Sequence, residues 1–135
     1  WREDMLRILL KPAELADSSE RYSQGVVVEE GRGLLFIAGQ TATDREGHVV
    51  GVGDIGAQAL KAFENVGAVL KEAGLGFENL VKTTVYLTDR AFREEFNRVR
   101  KEVLPKRQLP TSTLLIISGL ARPEFLIEIE AVAAF

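Results

Sequence analysis

The sequence of 135 residues predicts a mixed α+β domain with the element order β-β-α-β-α-β-β. Three observations carry this prediction: apolar, β-branched runs between turn signals, two segments with apolar residues at helical spacing, and a closing stretch in which apolar and acidic residues alternate. The length is usual for one domain, and no Pro/Gly/Ser tract indicates a linker. We therefore expect one domain over residues 1–135, with two helices packed on one face of a single sheet.

The first two strands are predicted on either side of a glycine-rich turn. One β-rich run covers Val26 to Glu29, another covers Leu34 to Ala38, and "EGRG" between them is a turn signal. This pattern predicts a β-hairpin. A second turn signal lies at Asp44 to Gly47, and His48 beside it is better explained as a solvated loop residue than as a ligand contact.

Both helices have recognisable start and stop signals. Asp54 is a suitable N-cap for the first helix, whose apolar residues recur at helical spacing until Gly74 supplies a C-terminal stop. Asp89 is placed to cap the second helix, and Pro105 ends it. Each helix has one apolar stripe, which predicts that each buries one side against the sheet.

The remaining strands are "LVKTTVYL", "STLLII" and the closing "FLIEIEAVAAF". Strand alternation puts Ile127 and Ile129 on one face of the closing strand, and Glu128 and Glu130 on the other. Several strands are apolar at consecutive positions, which is typical of a sheet buried on both faces. Two helices cover only one face, and large exposed apolar patches are unusual on a monomer, so we expect a homo-oligomer with both glutamates toward its interface.

Composition excludes several classes of function. The formal net charge of −3 has the wrong sign for a surface that neutralises phosphates, so nucleic acid is an unlikely partner. The sequence has no cysteine and one histidine, which argues against thiolate chemistry, a metal centre and a Ser-His-Asp triad, and fits a cytoplasmic protein. The apolar run "MLRILL" is too short for a membrane span, so no membrane association is expected.

A set of short motifs carries a family resemblance from Tyr22 onward. They are "YSQG", "IAGQ", "VKTTVYLTD", Asn97 within "FNRVR", "LPTSTL" and "IEIEAVA". With these motifs the chain resembles the RidA (YjgF-type) reactive-intermediate deaminase family. The resemblance implies a chorismate-mutase-like fold, assembled as a homotrimer with small-molecule clefts between subunits. It also implies cofactor-independent hydrolysis of enamines and imines, such as 2-aminoacrylate, to a keto acid and ammonia.

The resemblance assigns cleft positions to Tyr22, Gly39, Asn97 and Glu128. Glu128 would orient or deprotonate the attacking water, and its alternative role is a salt bridge across the interface. Tyr22 would offer its hydroxyl to a ligand or pack at the interface. Gly39 would let a ligand approach the backbone or form a bulge, and Asn97 would contact the ligand or lie on the surface.

One position departs from the pattern of the deaminating relatives. They resemble one another in an arginine two residues after the proline of "LPTSTL", where it grips the substrate carboxylate, whereas this chain has Ser112. Arg107 and Arg21 are near cleft segments in the sequence and are candidates to replace that arginine. Three interpretations follow. The first is a deaminase whose substrate lacks a carboxylate or is held by a different arginine, and the second is a trimeric binding protein with little catalysis. The third is an endoribonuclease, which the acidic composition disfavours.

Overall fold

The computed structural model describes residues 5–135. The strands are β1 Leu6–Leu10, β2 Gly25–Glu29, β3 Leu34–Gln40, β4 Leu80–Leu87, β5 Thr111–Ile116 and β6 Ile127–Ala134, and the helices are α1 Ile55–Glu72 and α2 Arg93–Val103. From β2 onward the order is the predicted one, so the α+β class is confirmed. β1 is an additional strand, formed by the apolar run that was too short for a membrane span.

The strands within residues 5–135 form two sheets rather than the predicted single sheet. β1 and β2 pair antiparallel with each other, and a second sheet has the order β3-β6-β4-β5. The predicted hairpin is therefore wrong, because β3 pairs with β6, with Leu34 opposite Ala134, instead of with β2. The turn signal fixes where the chain reverses, but the choice of partner depends on strands far away in sequence.

The boundaries of α1 and the end of α2 match the sequence signals, whereas Asp89, predicted to cap α2, caps a turn that precedes it. The Asp54 carboxylate accepts a hydrogen bond from the Ala57 N–H at 3.0 Å, and Gly74 adopts a positive φ of 74° after α1. Asp89 caps a short 3-10 turn, Arg90–Phe92, that leads into α2. Among the residues that the structure describes, no helix combines the length and apolar character that crossing a membrane requires.

Both helices pack on the same face of the four-stranded sheet. The rings of Phe63 on α1 and Phe96 on α2 stack with their centroids 6.0 Å apart. Ile127 and Ile129 of β6 are fully buried in this core, as their alternation with the glutamates predicts. Burial of one such side chain stabilises the fold by about 1.5–3 kcal/mol.

The opposite face of this sheet, here called the outer face, is open. Phe36 pairs with Val132, which in turn pairs with Lys82, so these three side chains share the outer face. Phe36 is 73% exposed and Leu34 is 57% exposed. The prediction that the helices leave one apolar face uncovered is therefore confirmed, and Glu128 and Glu130 lie half-buried on that face.

Candidate functional site

A group of polar side chains crosses the outer face beside β6. Glu128 lies opposite Tyr86 of β4, and the Tyr86 hydroxyl donates a hydrogen bond to the carboxylate of Glu130. This bond raises the pKa of the Tyr86 phenol, and partial desolvation and the negative charges of Glu130 and Glu128 raise it further. Glu130 therefore has a structural partner inside the chain.

Glu128 is held differently from Glu130. Among residues 5–135 its carboxylate has no hydrogen-bond or ion-pair partner, so it is available to a ligand or to another subunit. It lies against Gly39, which is part of an irregularity in the pairing of β3 with β6 between Ile37 and Gln40. A Cβ atom added at Gly39 would be 2.1 Å from Glu128 Oε2, so a larger residue there would displace the Glu128 carboxylate. We call Gly39, Tyr86, Glu128 and Glu130 the carboxylate face.

A second polar cluster lies on the helix side of the sheet. It is a pocket of about 160 Å³ lined by Arg21, Tyr22, Arg93, Asn97, Arg100, Ser112 and Leu114. We call this set the arginine pocket. Its walls come from the segment before β2, from α2 and from edge strand β5, which lies parallel to β4 because α2 forms the crossover between them. Every charged side chain in its lining is cationic.

Arg100 is the most buried of the three arginines. It is 6% exposed, and its Nη2 atom is buried without a hydrogen-bond partner in the described chain. Desolvation lowers the pKa of its guanidinium, and the positive charges of Arg21 and Arg93 lower it further. The guanidinium lies 5.6 Å from the ring centroid of Phe96, a cation–π contact that offsets part of the lost hydration.

The structure brings the predicted site residues together in two separate groups. Tyr22, Asn97 and Ser112 line the arginine pocket, whereas Gly39 and Glu128 meet on the carboxylate face. The groups occupy opposite faces of the sheet within one chain. Ser112 pairs with Thr83, which pairs with the core residue Ala131, so Ser112 lies on the helix side of the sheet. Glu128 lies between the core residues Ile127 and Ile129 on β6, so its side chain is on the outer face.

Arg107 is not in either group. It is exposed and lines a different pocket of about 360 Å³, between the end of β1 and the loop before β5, and Tyr22 borders both pockets. Of the two arginines proposed to replace the missing one, the structure therefore places Arg21 beside Ser112 and leaves Arg107 away from it.

The sequence interpretation missed Arg93, Arg100 and Tyr86. A signal for the two arginines was present, because Arg93 is four residues before Asn97 and Arg100 is three after it, which puts all three on one helix face. Tyr86 gave no such signal, since its contact with Glu130 depends on the register between β4 and β6.

The turn at Asp44 to Gly47 gathers Asp44, Glu46 and His48 within 4.8 Å of one another. The Asp44 carboxylate accepts hydrogen bonds from the N–H groups of Glu46 at 3.0 Å and His48 at 2.9 Å, which lower its pKa. These bonds account for the grouping as an ordinary Asx-type turn. His48 is exposed, as expected for a loop residue.

The sequence is similar to a well-populated family. Residues 13–135 match the family model described as "Endoribonuclease L-PSP". A human 2-iminobutanoate/2-iminopropanoate deaminase is 32% identical over 129 residues, covering 96% of this chain and 90% of the relative. A RutC family protein of Synechocystis sp. is 35% identical over 113 residues, covering 83% of this chain and 84% of the relative.

Solved structures share the fold. A Rid family protein of unknown function from Yersinia pestis aligns with a TM-score of 0.83 at 27% identity, covering 96% of this chain and 98% of that one. RidA from an Antarctic Psychrobacter aligns with a TM-score of 0.71 at 26% identity, covering 88% of this chain and 97% of that one. The same family is indicated by the fold, by the sequence match and by the motifs of the first strands and the closing strand. The chain belongs to the RidA (YjgF-type) family.

Proposed function

We propose that this protein is a cofactor-independent enamine/imine deaminase that acts in clefts between the subunits of a homotrimer. The observation that carries this proposal is the division of the family's site positions into a carboxylate face and an arginine pocket with complementary chemistry. A human relative at 32% identity is named as an imine deaminase, which supports the choice of reaction.

The two groups need a second copy of the chain to form one site. Within a chain the sheet separates Glu128 from Ser112, so no small ligand touches both. The outer face offers exposed Leu34, Phe36 and Leu115 to a neighbour, and burying such a patch favours association. If the β5 edge of a neighbouring subunit packs on this face, the arginine pocket of that neighbour comes close to Glu128. Repeating the same contact around a ring gives a closed oligomer.

The reaction needs a water molecule, a proton acceptor and a proton donor. Glu128 is the group for proton transfer: it takes a proton from water as the oxygen bonds to the imine carbon and the C=N bond becomes a single bond. It then returns the proton to nitrogen. As the C–N bond breaks, Glu128 takes the remaining hydroxyl proton and passes it to the nitrogen, so ammonia leaves and the C=O bond of the keto acid forms. An enamine enters the same route after its terminal carbon gains a proton and its nitrogen loses one, which together give the imine.

The arginine pocket supplies the groups that hold the rest of the substrate. Tyr22 contributes a phenolic hydroxyl and Asn97 an amide, both half-buried, and Ser112 contributes a small hydroxyl. Holding the reacting carbon near the water that Glu128 orients reduces the entropy lost on reaching the transition state. Ser112 has no histidine near it in the pocket lining, so we assign it no nucleophilic role.

The test is ammonia release from freshly generated 2-iminopropanoate and 2-iminobutanoate, with the spontaneous rate in buffer as the baseline. We expect the wild-type protein to accelerate hydrolysis and the rate of Glu128→Gln to be lower by a factor of about 10²–10⁴. Glu130→Gln is the matched control, two residues along the same face, and should stay active. Equal rates for wild type and Glu128→Gln would contradict the proposal.

A second candidate function is small-metabolite binding without catalysis, which Ser112 in place of the family's arginine favours. It predicts saturable binding of a small carboxylate with no hydrolysis above buffer in the same assay. Ribonuclease activity, which the description of the family model names, is disfavoured by the net charge of −3. RNA affinity measured at two salt concentrations tests that possibility directly.

A further inference from the structure

Among residues 5–135, no acidic side chain forms an ion pair with Arg100. Its side chain is removed from water, its Nη2 has no acceptor among residues 5–135, and the nearest charged groups are other arginines. A buried charge is ordinarily paired or hydrogen-bonded, because its lost hydration must be replaced. Phe96 offsets only part of that loss, so an acceptor from outside the described residues would complete the hydrogen bonding of Arg100.

The surroundings of Arg100 fit an anion. Arg21 and Arg93 line the same pocket, and its lining contains no aspartate or glutamate. Glu20 lines a second pocket that Arg100 also borders, and no ion pair joins these two residues. Ser112 is small, so the space that an arginine side chain at that position would use is open to a ligand and to Arg100.

We propose that Arg100 binds the carboxylate of a small 2-imino or 2-keto acid, replacing the arginine that position 112 lacks. Arg21 and Arg93 add positive charge around the same anion. The inference deepens the proposed function and rests on it for the identity of the reaction. Anion binding itself is a separate property that can be measured without turnover.

The volume of the arginine pocket within one chain is compatible with a small ligand. A cavity of about 150 Å³ holds benzene, which has six non-hydrogen atoms. The arginine pocket has about 160 Å³, which suits 2-iminopropanoate with the same number of non-hydrogen atoms. Leu114 and the ring of Tyr22 offer apolar surface to a short carbon chain, which favours a carboxylic acid over inorganic phosphate.

The experiment is calorimetric titration with 2-oxobutanoate, its neutral methyl ester and inorganic phosphate. We expect wild-type protein to bind 2-oxobutanoate more tightly than either of the other two. Arg100→Met should weaken 2-oxobutanoate binding by about 30-fold or more, the range for truncating one partner of a buried charged pair. Binding of the ester should not change.

Two further variants control this measurement. Arg98→Met removes an arginine of the same helix whose guanidinium is already paired with Glu95 and Glu102. The affinity of this variant for 2-oxobutanoate should remain that of the wild-type protein. Ser112→Arg in the Arg100→Met background should restore affinity, because residue 112 lines the same pocket and supplies a new guanidinium fork. If Arg100→Met does not fold, Arg100→Lys replaces it, and its affinity should fall below that of wild type.

The outcomes separate this inference from the proposed function. Imine hydrolysis with unchanged 2-oxobutanoate affinity in folded Arg100→Met would overturn the inference and leave the function standing. Arginine-dependent 2-oxobutanoate binding without any hydrolysis would support the inference and remove the function. Phosphate binding tighter than 2-oxobutanoate binding would overturn the assignment to a carboxylate. Loss of the oligomer in Arg100→Met, with unchanged affinity per remaining site, would also overturn it by showing a structural ion pair between subunits.

Discussion

The carboxylate face and the arginine pocket are built in different ways. The carboxylate face comes from adjacent strands of one sheet, where alternation and pairing register fix each position, and one of its two glutamates is already held by Tyr86. The arginine pocket joins three separate segments and contains Arg100, whose Nη2 has no hydrogen-bond partner among residues 5–135. The two regions carry opposite charge, as the proposed ligand site between two subunits requires.

The largest expected effect comes from separating the two regions. Phe36→Asp puts a charge on the apolar outer face, and we expect the oligomer to dissociate to a monomer of 14.9 kDa with loss of all hydrolysis. Sedimentation velocity at micromolar concentration measures the mass. Val52→Asp, at an equally exposed apolar loop residue, should leave mass and activity unchanged. Full activity in a Phe36→Asp monomer would show that the two regions work independently.

An intermediate effect is expected when only the carboxylate face is disturbed. Gly39→Ala places a methyl group where the Glu128 carboxylate lies, so the carboxylate must move. We expect turnover to fall by about 10²-fold, because a displaced base no longer reaches its proton. Binding of 2-oxobutanoate should change little, since the arginine pocket is intact.

Gly119→Ala is the control for this substitution, because a Cβ atom there meets no atom within 4 Å. Combining Gly39→Ala with Glu128→Gln should cause no loss beyond that of Glu128→Gln alone. A further loss in the double variant would mean that Gly39 acts on the reaction by another route, such as direct contact with the ligand.

The two regions also differ in how well the sequence predicted them. Alternation along "IEIEAVA" was enough to place Glu128 and Glu130 opposite the core, because a strand has a period of two residues. Local signals likewise placed the caps at Asp54 and Asp89. Turn chemistry did not identify the partner of β2, since pairing with β1 is decided by contacts that no local pattern records.

The arginine pocket was predictable only in part. The resemblance pointed to Tyr22, Asn97 and Ser112, which the structure does bring together. Arg100 gave no such signal of its burial, because a charged residue on a helix is usually exposed, and that burial depends on segments distant in the sequence. Helical spacing from Asn97 was the available clue.

The smallest expected effect concerns Tyr86 and its bond to Glu130. The pKa of Tyr86 is raised above its ordinary value of about 10, so the phenol should lose its proton only at higher pH. Because the folded-state pKa is the higher one, the stability from this bond is complete below the ordinary pKa and is lost as pH rises through the raised one. Ultraviolet titration of Tyr22→Phe, which leaves Tyr86 as the one tyrosine of the sequence, measures the pKa.

Glu130→Gln in the same background should lower the Tyr86 pKa toward its ordinary value, because it removes the charged acceptor. Hydrolysis at neutral pH should be almost unchanged, since Glu130 is assigned no proton transfer. A pKa that did not respond to Glu130→Gln would show that burial, and not this bond, sets the titration of Tyr86.

The most direct test of the composite site is complementation between two inactive variants. Glu128→Gln disables the carboxylate face, and Ser112→Trp fills the arginine pocket. Equal amounts of the two variants are unfolded and refolded together, and native mass spectrometry verifies that mixed oligomers form. If each site takes its halves from two chains, random assembly should restore about one quarter of the wild-type activity per site, because that share of the sites receives both intact halves. Mixed oligomers with no more activity than the two variants measured separately would contradict the account.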